Sequence, residues 1–336
     1  PGTLIFRKQK QEEAAVNIRL TAQSAIKQAA VTVTARMQQG SSSIKDTIDN
    51  LPAGLSKEYA FTVSNKNMKQ LEQDEMLPFA QIQQNGEEEP AYLSLTSITY
   101  DHIPHIHYFY QDAVKLLNID LKTVGKKIGY IEGAGDKVPF ALQQMGYQVI
   151  VLKESDLQAS YLKQFDAIIT GVRAYNVNDF MKEKYAMLMD YVKEGGNLIV
   201  QYNTSNYISN IRSEIGPYPF NISRNRVTDE KAAVHFLLPD HPVLNYPNKI
   251  TSADFEGWIQ ERGIYFSDKA DPAYQMPLSM ADPNEPEQKG SLLIANYGKG
   301  TFVYTGLVFF RELPAGIPGA YRLLANIIAL NSKKGF

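Results

Sequence analysis

Cysteine is absent from all 336 residues. That excludes disulfides, thiolate zinc sites and any cysteine nucleophile. It does not fix the compartment, although a Cys-free chain is compatible with an oxidising one. No apolar run is long enough to span a bilayer. Neither sign of charge dominates: 34 Lys and Arg face 36 Asp and Glu, for a net charge of -2. The basic stripe expected of a nucleic-acid binder is therefore missing. Histidine is scarce at five residues, and tryptophan occurs once against 20 tyrosines. A Tyr-rich surface suits a binding protein, but Tyr is also ordinary core material. The chain opens on Pro1, without an initiator Met or a signal-peptide pattern, as expected of a piece of a longer polypeptide.

What is present is ordinary globular composition, with 44% hydrophobic and 21% charged residues. The length suffices for one large core or two smaller ones. Up to about Asp101 the rhythm is period two. "AAVNIRLTA" puts Val16, Ile18 and Leu20 on one face. "AAVTVTARM" does so with Val31, Val33 and Ala35, and "KEYAFTVS" with Tyr59, Phe61 and Val63. "PAYLSLTSI" closes the series, and turns such as "QQGSSS" and "QQNGEEEP" separate its members. Short alternating strands between polar turns predict a β-sandwich over residues 1–104. "NKNMKQLEQDEM" reads as a charged insertion, either a loop or one short helix.

From about Val114 the rhythm changes. "KKIGYIEG", "YQVIVL", "LKQFDAIITG" and "NLIVQYN" are apolar runs, with the helical patterns "VPFALQQMG" and "YAMLMDYVKEGG" among them. Alternating strands and helices predict a parallel sheet with right-handed crossovers over residues 105–336. "GSLLIANYGKGTFVYTGL" reads as a hairpin around Gly298 and Gly300, and "GAYRLLANIIAL" as a final amphipathic helix. The fold class is thus α/β plus all-β: a β-sandwich, then a flavodoxin-like parallel-sheet domain.

"IGYIEGAGDKVPFAL" holds Gly133 and Gly135, but Val138 stands where a dinucleotide fingerprint needs its third glycine. No Gly-Lys-Ser/Thr follows for a phosphate loop. The favoured reading is a tight turn, with Asp136 capping a helix whose first turn holds Pro139. The loop still sits at the carboxyl end of a parallel strand, where open α/β sheets place their ligand crevice. Arg173, Tyr175 and Asn176 follow one strand, and Gln201, Tyr202 and Asn203 follow another. With Asp136 they are the candidate polar cleft. Each also has a plain reading, a surface ion pair for Arg173 and a turn for Asn203.

Other constellations are weaker. His105 and His107 would share a strand face with His102 nearby, yet zinc needs a third ligand, and an inter-domain connector is preferred. No Gly-x-Ser-x-Gly elbow or His-Glu-x-x-His helix occurs. Asp254 and Glu256 would share a strand face beside Trp258, an aromatic–carboxylate pattern that suits sugar. The alternative makes Trp258 a core anchor and pairs Glu256 with Arg262 or Arg311. Arg311, before the turn set by Pro314 and Pro318, could bind a carboxylate or phosphate. No catalytic residue, metal ligand or cofactor is expected.

The succession "KIGYIEGAGD … GYQVIVL … FDAIITGVRAYN … DYVKEGGNLIVQYNT" resembles class I glutamine-amidotransferase-like domains. Active members carry a Cys in the elbow after a strand, here near Gln201 to Asn203, where none is present. The resemblance therefore implies the fold and argues against glutamine hydrolysis. Over most of the chain, "YDHIPHIHYF", "TGVRAYN", "DFEGWIQERGIYF" and "VYTGLVFFRELPAGIPGAYRLLANII" resemble the C-terminal region of Bacteroidetes-type PIG-L/LmbE deacetylase proteins. That implies an upstream zinc deacetylase domain, a periplasmic or extracellular location and a glycan ligand. The His-Pro-Asp-Asp zinc pattern of that family is not here, since Val243 and Leu244 follow His241-Pro242. The resulting expectation is a non-catalytic, ligand-binding accessory region. The alternatives are a stand-alone hydrolase using Asp136 or Glu256, and a structural or oligomerisation module.

Overall fold

The structure is a computed structural model that describes residues 2–68, 71–205 and 214–332, with the backbone alone at residue 67. The chain divides into two compact units, Pro1–Asp120 and Leu121–Phe336.

Among the described residues of the first unit, the regular elements are strands apart from one 3-10 turn, Asn65–Met68. In chain order its strands are β1 (Thr3–Arg7), β2 (Glu13–Thr21), β3 (Ile26–Met37), β4 (Gly40–Leu51), β5 (Ser56–Ser64), β6 (Gln73–Gln84), β7 (Glu87–Ala91), β8 (Ser94–Ile98), β9 (Ile106–Tyr110) and β10 (Val114–Ile119). The larger sheet runs β1-β10-β6-β3-β4, with β7 added on β6; β2 pairs β5, and β8 pairs β9. The period-two faces fold inward as their alternation requires. Val31, Val33 and Ala35 of β3 join Val16 and Leu20 of β2 and Tyr59, Phe61 and Val63 of β5 in one core. Each fully buried Val, Leu or Phe side chain contributes roughly 1.5–3 kcal/mol.

The boundary expected at 104/105 lies instead at Asp120/Leu121. "HIHYFY" is no connector but β9, and β10 sits inside the larger sheet, parallel to β1 and antiparallel to β6. The charged insertion is in part the turn Asn65–Met68 and in part the start of β6; its residues 69–70 lie outside the described residues.

The second unit is built on a mixed sheet. Its elements, in chain order, are β11 (Lys127–Ile131), α1 (Val138–Gln144), β12 (Gln148–Val151), α2 (Ala159–Leu162), β13 (Ala167–Thr170), α3 (Ala174–Val177), α4 (Phe180–Glu183), α5 (Tyr185–Lys193) and β14 (Asn197–Gln201). The long connection that follows holds the short strands β15 (Asn221–Ile222) and β16 (Val234–Phe236), helix α6 (Pro242–Asn245), and β17 (Ser267–Asp268) and β18 (Leu278–Met280). The hairpin β19 (Leu292–Tyr297) and β20 (Gly300–Thr305) precedes α7 (Phe309–Ala315) and α8 (Pro318–Ile328).

The strand order is β12-β11-β13-β14-β20-β19, parallel throughout except for β19. The five parallel strands thus follow the 2-1-3-4-5 order of doubly wound sheets. One face buries Ile131, Ile168, Leu198, Val200 and Phe302 against Leu162 of α2 and Leu188 and Val192 of α5. On the other, Asn197 donates to the carbonyls of Ile327 (2.9 Å) and Ile328 (3.0 Å), tying β14 to α8. All five parallel strands therefore deliver their carboxyl ends to one edge, which is where the candidate residues converge.

Candidate functional site

The loop after β11 meets the loop after β13. Ala134 N–H donates to the Val172 carbonyl at 2.8 Å. A Cβ on Gly133 would stand 2.1 Å from that same oxygen, so this position requires glycine. Gly135 turns the chain at φ +99°. The motif therefore serves backbone approach between two loops rather than a phosphate. Asp136 completes the join. Its carboxylate accepts from Tyr130 Oη at 2.7 Å, from Val138 N–H at 2.9 Å and from Val172 N–H at 3.1 Å. Lys137, not Asp136, occupies the N-cap position of α1, and Pro139 lies in its first turn. Gln201 joins the same chain, donating to Tyr130 Oη and to the Thr170 carbonyl, each at 3.2 Å. Tyr130 was missed from sequence. Burial, with the Asp136 charge beside it, holds its phenol far above the ordinary value, so it acts as a neutral donor.

The asparagines hold backbone. Asn203, fully buried, accepts from Tyr175 N–H at 2.9 Å and donates to the Gln201 carbonyl at 3.0 Å. Asn176 exchanges two bonds with the backbone of Thr204, at 2.8 and 3.0 Å. Tyr175 turns into the core, where its hydroxyl has no partner among the described residues and burial raises its pKa. These side chains are spent on fixing the loops after β13 and β14 to one another.

Arg173 is different. It adopts a left-handed backbone, φ +60° and ψ +23°, which costs an L-residue roughly 1–2 kcal/mol. Its N–H is fixed by the Tyr202 carbonyl at 2.8 Å. Its side-chain Nε is buried yet has no hydrogen-bond partner among the described residues. The Tyr202 ring stacks on Tyr265 at 5.7 Å with 7° between planes, and lies 5.2 Å from Phe310. Tyr265 itself has φ +52°. Burial raises the Tyr202 pKa, and the nearby guanidiniums of Arg173 and Arg311 oppose that rise. Arg311 lies 4.9 Å over Phe310, pairs with Glu261 at 3.1 Å and donates to Gln260. Two arginines, three aromatic rings and one carboxylate therefore share the edge of the sheet.

Beneath them Glu312, on the buried side of α7, accepts from Ile259 N–H at 3.1 and 3.2 Å. Burial pushes its carboxyl up to about 8, against the opposing pull of that N–H, Arg262 and Arg311. Glu312 was also missed from sequence. The sequence sets it with Arg311 just before a Pro/Gly turn, whereas the structure makes it an inward-facing residue in the first turn of a helix.

Glu256 and Trp258 do not reach this edge. The expected strand is a 3-10 turn, Ser252–Phe255, opened by a capping box between Thr251 and Asp254. Asp254 is buried and pairs with Arg322 at 2.5 Å, whereas Glu256 is exposed. Trp258 is buried against Phe255 and Phe309, and its Nε1–H donates to the Asp254 carbonyl at 2.9 Å. It is a core anchor, not a sugar platform. Neither proposed partner reaches Glu256: Arg262 donates to the Ala232 and Phe255 carbonyls, and Arg311 takes Glu261. His107 bonds Ser97 at 2.8 Å. Among the described residues no three His, Cys, Asp or Glu gather as a metal site.

No family model matches the chain, and no curated protein matches it. Among solved structures it is similar to a GMP synthase subunit-like protein from Thermoplasma acidophilum, at 10% identity over 63% of this chain and 96% of that one, TM-score 0.40. It is also similar to a ThuA-like protein from Bacteroides uniformis, at 14% identity over 62% and 92%, TM-score 0.37. A third is a β-galactosidase from Rahnella, at 14% identity over 62% of this chain and 32% of that one, TM-score 0.36. Likenesses this distant accord with the mixed α/β fold and carry no argument about activity. Nothing among these comparisons points to a PIG-L/LmbE deacetylase, and the resemblance drawn from "YDHIPHIHYF" and its companions is corrected accordingly. The upstream deacetylase partner and the periplasmic or extracellular location were implied by that resemblance alone and lose their ground with it.

Proposed function

We propose that the second unit is a non-catalytic, glutamine-amidotransferase-like domain that binds a small anionic ligand at the carboxyl ends of its parallel strands, and that the first unit is a β-sandwich. The observation that carries the binding site is Arg173. A strained backbone and a buried guanidinium nitrogen without a partner are both costly, and such costs concentrate where a ligand supplies the missing contact. Arg311 adds a second cation, and a guanidinium fork suits a carboxylate or phosphate. The Tyr202, Tyr265 and Phe310 rings offer a flat apolar wall beside the charge, so an anion carried on a planar group fits best. Tyr202 stands near the elbow where active relatives of the expected fold carry their nucleophile, which supports binding without chemistry.

The test is titration calorimetry of the intact chain with inorganic phosphate, benzoate and a nucleoside monophosphate. At least one binds saturably, and Arg173→Ala weakens it at least about tenfold, equal to 1.4 kcal/mol, with the melting temperature little changed. If none of the three binds, or if Arg173→Ala and Arg311→Ala both leave affinity untouched, the reading fails.

A further inference from the structure

The ligand class at the strand ends can be narrowed, on the reading that this edge binds an anion. Open α/β sheets commonly hold a phosphate with backbone N–H groups, at a helix N-terminus or in a glycine-rich loop beyond the strands. Here the N–H groups that join the loops after β11, β13 and β14 are already engaged. Ala134 N–H goes to the Val172 carbonyl and Arg173 N–H to the Tyr202 carbonyl, each at 2.8 Å. Val138 and Val172 N–H go to the Asp136 carboxylate, at 2.9 and 3.1 Å. Tyr175 N–H goes to Asn203 and Thr204 N–H to Asn176, at 2.9 and 2.8 Å. The guanidiniums are left as the strong donors.

Those cations are not equivalent. Burial dominates at the Tyr202 hydroxyl, and the charges acting on it there are Arg173, Arg311 and Glu261. The three therefore converge on one point. Arg311 is committed: its Nε pairs with Glu261 at 3.1 Å, where the Glu261 side chain is only 12% exposed, and Nη1 donates to Gln260. Arg173 is uncommitted, since its buried Nε has no hydrogen-bond partner among the described residues. The Asp136 charge is already met by Tyr130 and two backbone N–H groups. Glu312, beside Arg311 on α7, is pushed by burial up to about 8 and adds no full charge near neutral pH.

The edge thus offers one free cation. Two in-plane N–H groups of a guanidinium match the two in-plane oxygens of a carboxylate. A phosphate monoester brings most of a second charge near neutral pH. To pair it, the ester must draw Arg311 away from Glu261 and leave a poorly solvated carboxylate alone, which is costly. We infer that the ligand of this edge is an aromatic monocarboxylate, its carboxylate forked on Arg173 and its ring against Tyr202, Tyr265 and Phe310. Glu261 sets the preference over phosphate esters by holding Arg311.

The probes are benzoate, phenyl phosphate and acetate, titrated into the intact chain at about pH 7.5, where phenyl phosphate is mostly a dianion. Benzoate binds at least about tenfold tighter than either of the others. Glu261→Gln frees Arg311 and shifts the ratio of the two aromatic affinities at least about tenfold toward phenyl phosphate, with unchanged circular dichroism. The ratio in the unaltered chain decides the ligand class whether or not that variant folds. Phenyl phosphate binding as tightly as benzoate overturns the inference and leaves the anion site standing. Acetate matching benzoate overturns it too, because the rings then contribute nothing. An unchanged ratio in a folded Glu261→Gln chain removes Glu261 from its assigned role. If none of the three binds, the anion site itself fails and the inference falls with it.

Discussion

Arg173 and Asn203 occupy the ends of neighbouring strands and call for opposite outcomes on substitution. Arg173 holds φ +60° and a buried, unpartnered Nε. Arg173→Gly relieves the backbone and removes the unmet donor. It should leave stability unchanged or raise it by up to about 1 kcal/mol, while abolishing anion binding. Asn203→Ala strands the buried Tyr175 N–H and the Gln201 carbonyl, which costs about 1–3 kcal/mol. Urea unfolding of both variants measures the difference. A loss of more than about 1 kcal/mol in Arg173→Gly would make the arginine a structural residue. Sequence could place both side chains just past their strands, because apolar runs ending in glycine or polar residues mark those ends. It could not see that Asn203 points at backbone while the Arg173 Nε is left without a hydrogen-bond partner among the described residues, since that depends on a partner loop distant in sequence. For Trp258 a local signal was available: Thr251 and Asp254 have capping-box spacing, which argues for a turn where alternation suggested a strand.

At the scale of elements, α7 clasps the connection that carries Gln260, Glu261 and Tyr265. The clasp is the Glu312 carboxyl on Ile259 N–H. Burial pushes that carboxyl from its ordinary 4.5 up to about 8, so the folded protein holds a proton that the unfolded chain releases above about 4.5. A folded-state pKa above the unfolded one gives stability that is full below pH 4.5 and lost as pH rises through about 8. Chemical unfolding should therefore show stability falling between pH 5.5 and 8, by on the order of 1 kcal/mol per pH unit. Arg262 and Arg311 oppose the shift and Glu230 adds to it, so removing either arginine should extend the falling interval to higher pH. Glu312→Gln keeps an acceptor for Ile259 and cannot titrate, and its profile should be flat over this interval. An unchanged slope in the variant would assign the pH dependence to other groups. The parallel strands themselves were legible because a centre strand is apolar on both faces. Glu312 was not, since a lone acid after two phenylalanines looks like a surface residue until the helix turns it inward.

Across the whole molecule, the least legible feature was where one unit ends. "VKLLNI" follows a histidine- and tyrosine-rich stretch and precedes the first parallel strand of the second unit, so it reads as the opening of the α/β rhythm. Its partners are far away in sequence: Thr3–Arg7 on one side and Gln73–Met76 on the other. Parallel pairing across that span leaves no local pattern, because only the finished sheet shows why Leu116 and Leu117 are buried. The arrangement makes a direct prediction. β10 is the only strand that β1 pairs with among the described residues, and it also covers one edge of β6. A fragment ending at residue 104 loses β9 and β10 together, strands Leu4, Ile5 and Phe6 without a sheet, and exposes β6 as a new edge. It should aggregate or stay without cooperative unfolding. A fragment ending at Asp120 keeps every strand pair of the first unit and should unfold in one cooperative step. Equal thermal transitions for the two fragments would show that β10 contributes nothing to the first unit. The parallel pairing of β1 with β10 would then have to be abandoned as a feature of the native sheet.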